Sequence, residues 1–169
     1  MSTSFSCGAN PDRLGYNVHP PRYFAYGSNM NPARVAERGL AVVAVESAKL
    51  HGYCLRFDKV SRQHPTESHA NVVWDRDGVV EGVLYTLASH AEIEKMDRFE
   101  ATPVNYGREA VEVSTDSGVV SAWTYFANPA VRVEGLLPSD AYLSHLLAGA
   151  SYLSADYLAF VRRQAGRAH

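Results

Sequence analysis

Tyr26-Gly27-Ser28-Asn29-Met30 closes a strand-like apolar run, Tyr23-Phe24-Ala25, and leads into Asn31-Pro32. Proline is tolerated in a first helical turn, and Asn29 or Asn31 can cap it, so a helix is predicted to begin there. Glycine allows a ligand to approach the backbone closely, and amides at the start of a helix face outward where the aligned peptide dipoles favour negative charge. The loop therefore suits an anion or an oxyanion. An ordinary strand-to-helix turn has the same composition, and the loop alone leaves both readings open.

A second group of residues could move protons. Asp97-Arg98-Phe99-Glu100 ends a predicted helix and precedes the irregular Ala101-Thr102-Pro103-Val104-Asn105. Partial burial beside Phe99 would disfavour the Glu100 carboxylate and raise its pKa toward neutrality, as a proton shuttle requires. The bland alternative is a solvated surface glutamate. His64-Pro65-Thr66-Glu67-Ser68-His69 resembles a metal cluster at first sight, but its spacing is not that of a helical His-x-x-x-His pair. No metal is expected there, since polar loops commonly collect histidines.

The elements that must position these groups are mostly strands. Ala41 to Leu50 and Tyr53 to Phe57 read as strands, and Asn71-Val72-Val73-Trp74 with Val79 to Tyr85 reads as a hairpin around Asp75-Arg76-Asp77-Gly78. Ser89 opens a helix through Phe99, with Ile93 and Met96 on one face and Glu92 placed to complete a capping box. Tyr106 to Ser114 and Val119 to Phe126 form a second hairpin around Asp116-Ser117-Gly118, and from Ser139 the apolar spacing turns helical. The predicted fold class is α+β: a curved, mostly antiparallel mixed sheet or small barrel, a short internal helix and C-terminal helices covering the sheet. Gly27 stands alone, so no dinucleotide fingerprint is present.

Length and composition narrow the function classes. With 169 residues, 46% hydrophobic and 20% charged, one soluble domain is expected. Residues 1–22 read as an irregular tail, 23–163 as the domain and 164–169 as a frayed end. A net charge of -2 argues against nucleic acid as a partner. Neither a membrane span nor a secretory signal is read in the sequence, and Cys7 and Cys54 offer no disulfide framework, so a cytoplasmic location is expected.

Taken together, these motifs resemble the γ-glutamylcyclotransferase family, which includes γ-glutamylamine cyclotransferases and butirosin-pathway enzymes. Tyr26 to Met30 matches the family's Tyr-Gly-Ser-Asn-(Leu/Met), Gly82-Val83-Leu84-Tyr85 its glycine-led strand, and Asp97-Arg98-Phe99-Glu100 its Asp-x-x-Glu motif. The order and approximate separations agree over roughly Tyr23 to Val161. The family motif is often followed by glycine, where this chain has Ala101, and Asn29 sides with the smaller enzymes rather than those degrading glutathione.

The resemblance implies conversion of a γ-glutamyl amine or dipeptide to 5-oxoproline plus an amine or amino acid, without cofactor. It makes Glu100 the general base and acid, and gives substrate contacts to Tyr26, Gly27, Ser28, Asn29, Met30, Tyr106 and Tyr157. Core packing is an equal alternative for the last two. A homodimer is compatible with the resemblance. Two other functions stay open from the residues: a binding module without turnover, and a hydrolase using Ser28, which would need a histidine within hydrogen-bond reach.

Overall fold

The computed structural model describes residues 19–165. Cys7, most of the predicted tail and the last four residues lie outside them. Five strands close into a barrel: β1 (Arg22–Ala25), β2 (Val42–Val60), β3 (Ser68–Leu87), β4 (Tyr106–Thr115) and β5 (Gly118–Ala127), in the order β1-β3-β2-β4-β5. Neighbours pair antiparallel except at the closure, where Tyr23 of β1 meets Trp123 of β5 in parallel. The helices are α1 (Pro32–Glu37), α2 (His90–Phe99), α3 (Asp140–Leu147) and α4 (Ala155–Ala165). Phe24, Leu50, Val80, Leu84, Val113 and Leu146 are among the core side chains. Burying both the inward strand faces and the apolar stripes of the helices requires this layering.

The first predicted hairpin is corrected by the structure. β2 and β3 are single long strands, and the chain reverses between them in the polar loop before Ser68. His51 pairs with Val79 and Tyr53 with Trp74, leaving Asp75, Arg76, Asp77 and Gly78 opposite Gly52 alone. The Asp-Gly turn chemistry thus produces a bulge, because a continuous partner strand holds both of its flanks. The second hairpin forms as predicted, with Thr115 paired to Gly118 across the turn.

Local capping decides where the functional segments start. Asn31 caps α1 by accepting the Ala33 amide at 3.0 Å, and Pro32 occupies the first turn. The predicted capping box at Ser89 does not form. Ser89 makes no side-chain cap, and Glu92 instead accepts the Ala41 amide at 2.9 Å and pairs with Lys95 at 2.8 Å, tying α2 to the start of β2. Gly82 has a steric role: a Cβ there would stand 2.8 Å from the Phe24 ring, so glycine lets β1 lie close against β3.

Candidate active site

β1 carries Tyr23 into the barrel, and the chain leaves through Tyr26 and Gly27 into a short 3-10 turn, Ser28–Met30, before α1. Across the barrel mouth, α2 ends at Glu100, whose amide still bonds the Met96 carbonyl at 3.0 Å. Asn29 joins the two segments: its Nδ2 donates to Glu100 Oε1 at 2.9 Å and to the Tyr23 hydroxyl at 2.8 Å. Only 3% of Asn29 is exposed, and its carbonyl accepts the Tyr85 hydroxyl at 2.7 Å. The two sequence motifs are therefore halves of one hydrogen-bonded unit.

Glu100 has the perturbed environment that a proton shuttle needs. Its side chain retains 16% exposure, and Arg38 approaches Oε1 at 3.4 Å. Burial raises its pKa above the usual carboxylate value, opposed by the Arg38 charge and the Asn29 hydrogen bond. Both of these partners hold Oε1; among the described residues Oε2 has no hydrogen-bond partner.

Tyrosines wall the space beside it. Tyr23, Tyr26, Tyr106, Tyr125 and Tyr142 surround a small cavity of about 30 Å³ with Gly27, Ser28, Asn29, Ala70 and Glu100. Burial raises each of these phenol pKa values, so the ring hydroxyls are neutral donors at ordinary pH. Tyr26 donates to the Tyr125 carbonyl, Tyr106 to the Ala70 carbonyl at 2.8 Å, and Tyr125 to Asp97 at 2.8 Å. Asp97 also pairs with Arg108 at 2.9 Å, which fixes the end of α2. Tyr142 accepts the Ala70 amide at 3.0 Å and a backbone hydrogen bond from Ser28. With those amides engaging its oxygen, its own O–H proton is left to serve a group in the cavity.

Ser28, Glu100, Tyr106 and Tyr142 form a neck, because they also line an outer cleft of about 750 Å³. Arg34, Arg38, Lys59, Arg62, His64, Glu67, His69 and His145 lie around that cleft, placing the histidine-containing loop at its rim. The His69 ring stacks on Tyr142 at 4.5 Å, and burial together with Lys59 and Arg34 lowers its pKa to about 4, so it is neutral at pH 7. His145 contacts Asn31 and Arg34, and among the described residues no histidine hydrogen-bonds the Ser28 hydroxyl.

The expected site residues thus divide. Tyr26, Gly27, Ser28, Asn29, Glu100 and Tyr106 come together, whereas Met30 and Tyr157 do not. Met30 is fully buried in the core with its carbonyl and Cβ under Gly149, because the 3-10 turn rotates it inward. Tyr157 packs against Phe160 on α4, beside Glu81, and does not line the cavity or the cleft. Asn71 serves the scaffold, joining Asp58 at 3.0 Å to the Ala127 amide at 2.9 Å. Sequence reasoning missed Tyr142, which sits in the apolar spacing of α3, and it missed Tyr23, Tyr125 and the cleft cations, which no local pattern marks.

Comparison with known proteins agrees with this architecture. The family model described as "Gamma-glutamyl cyclotransferase, AIG2-like" matches residues 23–144. A solved structure named "Gamma-glutamyl cyclotransferase" superposes with TM-score 0.72 at 23% identity, covering 84% of this chain and 86% of that one. YkqA from Bacillus subtilis gives TM-score 0.74 at 26% identity, covering 87% of this chain and 54% of its own. A yeast γ-glutamyl cyclotransferase specific to glutathione gives 0.63 at 14% identity, covering 87% and 96%, a likeness of fold alone. A search of curated proteins found no match.

Proposed function

The chain belongs to the gamma-glutamyl cyclotransferase, AIG2-like family, and from that premise we propose that it cyclises γ-glutamyl compounds to 5-oxoproline with release of the attached amine or amino acid. The supporting observation is Glu100, a carboxylate of raised pKa at the neck, with one oxygen held by Asn29 and Arg38 and the other without a hydrogen-bond partner among the described residues. The substrate's α-nitrogen attacks its own γ-carbonyl carbon, a C–N bond forms, and the original amide C–N bond breaks. Folding the glutamyl chain into its ring-closing shape supplies much of the acceleration, so no protein nucleophile is needed.

Glu100 takes a proton from the α-nitrogen and returns one to the departing nitrogen. The α-ammonium gives up two protons in all and the leaving amine departs with two more than it had, so charge balances without a co-reactant. Negative charge on the tetrahedral oxygen is met by the Gly27 and Asn29 amides and by the Tyr142 hydroxyl, which the Ser28 amide holds in place before reaction. The Ser28 hydrolase reading gains nothing from the geometry, since its hydroxyl lacks a histidine partner among the described residues. Purified protein incubated with γ-glutamyl compounds is expected to form 5-oxoproline detectable by mass spectrometry, and Glu100→Gln to lower kcat/KM by about 100-fold or more. Equal turnover by that variant removes Glu100 from the mechanism.

A further inference from the structure

The outer cleft carries more positive charge than the catalytic unit uses. Arg38 is committed to Glu100 at 3.4 Å, whereas Arg34, Lys59 and Arg62 form no ion pair among the described residues. They come from three different elements, α1, the end of β2 and the loop after it, and converge on one cleft. Lys59 is only 2% exposed, with its ammonium 5.5 Å from the Tyr106 ring centre at the neck. Arg34 has a buried Nε without a hydrogen-bond partner among the described residues. Burying cations without carboxylate partners costs stability, and a ligand anion would offset that cost.

Cavity size indicates where such an anion would sit. The cavity of about 30 Å³ is far smaller than the cleft of about 750 Å³, so it takes the reacting centre and not a whole substrate. The rest of the substrate, including the leaving group, must lie in the cleft. The α-carboxylate of a γ-glutamyl head is one anion, and three unpaired cations on separate elements leave positive charge for a second.

We propose that Arg34, Lys59 and Arg62 form an anion subsite for the leaving group, selecting γ-glutamyl amino acids or peptides with a free carboxylate over γ-glutamyl alkylamines. The subsite rests on the cyclotransferase reading for its substrate but not for its charge. γ-Glutamyl-alanine and γ-glutamyl-ethylamide are suitable probes, because they differ only by that carboxylate.

The wild type is expected to favour γ-glutamyl-alanine in kcat/KM by about tenfold or more, and the preference should shrink in high salt. Arg62→Ala, at an exposed position where folding is not at issue, should reduce the ratio at least about threefold, and Lys59→Met should reduce it further. Equal use of the two compounds overturns the proposal, as does an equal loss on both in each variant, which would assign the cations to the glutamyl head. Calorimetric binding of the same two compounds to Glu100→Gln separates the two readings. If nothing is turned over, the cyclotransferase reading fails, and a binding preference for the alanine compound still supports the subsite. Equal binding or no binding of either compound overturns the subsite.

Discussion

Replacing Gly27 by alanine tests whether the glycine loop and the Tyr142 hydroxyl are one device. A Cβ at residue 27 would stand 2.9 Å from the Tyr142 oxygen and 3.3 Å from the Ala70 Cβ. Tyr142 cannot yield freely, because its ring stacks on His69 at 4.5 Å and its oxygen accepts the Ala70 amide at 3.0 Å. Forcing a methyl group into such a site costs roughly 1–3 kcal/mol. Tyr142→Phe alone forfeits the hydroxyl bonds, about 1 kcal/mol. If the two changes were independent, the double variant would lose the sum. Because the phenol oxygen is the atom struck, its removal relieves the clash, and the double variant should recover at least about 1 kcal/mol of that sum. Urea denaturation of the four proteins measures this coupling, and kcat/KM on γ-glutamyl-alanine should fall at least about tenfold in Gly27→Ala. Additivity within about 0.5 kcal/mol would refute the contact as the reason for glycine.

Two further changes probe the acid. Arg38 lowers the Glu100 pKa against the upward effect of burial. Arg38→Gln should therefore raise it, and since the proposed base must be ionised to act, the acid limb of the kcat/KM profile should move to higher pH; an unmoved or lower limb contradicts the assignment. Ala101, immediately after Glu100, has φ 50, a left-handed conformation that costs an L side chain about 1–2 kcal/mol. Set against glycine's greater chain entropy, Ala101→Gly should stabilise the protein by about 0.5–1 kcal/mol in urea, and destabilisation would show that Ala101 is not strained.

Legibility followed the range of the interaction concerned. The strand character of Tyr23 to Ala25, the Asn31-Pro32 helix start and the Asp116-Ser117-Gly118 turn are set within a few residues, and all appear in the structure. The Asp75 to Gly78 segment has turn chemistry but forms no hairpin turn, because its outcome depends on a partner strand more than twenty positions away. The same distinction governs the site. Gly27 and Glu100 lie in short motifs with local consequences, whereas Tyr142 acts through a hydroxyl delivered from the opposite end of the domain to Ala70. In sequence it is one more member of an apolar helix face, with Leu143 and Leu146. Arg34, Lys59 and Arg62 lie in segments with no shared period, and only barrel closure puts them around one cleft.

Ala101 adds a physical reason for a departure visible in the sequence. The chain must turn sharply after Glu100 so that the Thr102 amide can reach back to the Asp97 carbonyl at 2.9 Å. A left-handed residue at 101 makes that reversal, and glycine adopts it without a steric penalty. The conformation is retained here with alanine because neighbouring bonds over-determine it: Asn105 returns its amide to the Ala101 carbonyl at 3.0 Å, and Asp97 is pinned by Arg108 and Tyr125. Glu100 is the last αR residue before that turn, and its carboxylate meets Asn29 across the barrel mouth. Burial raises the Glu100 pKa above the usual carboxylate value, and Arg38 and Asn29 oppose that rise. A proton shuttle needs both conditions, because the group must accept a proton from the attacking nitrogen and surrender it to the leaving one. In the proposed reaction the acid works through the loop that holds it, and neither motif accounts for the site without the other.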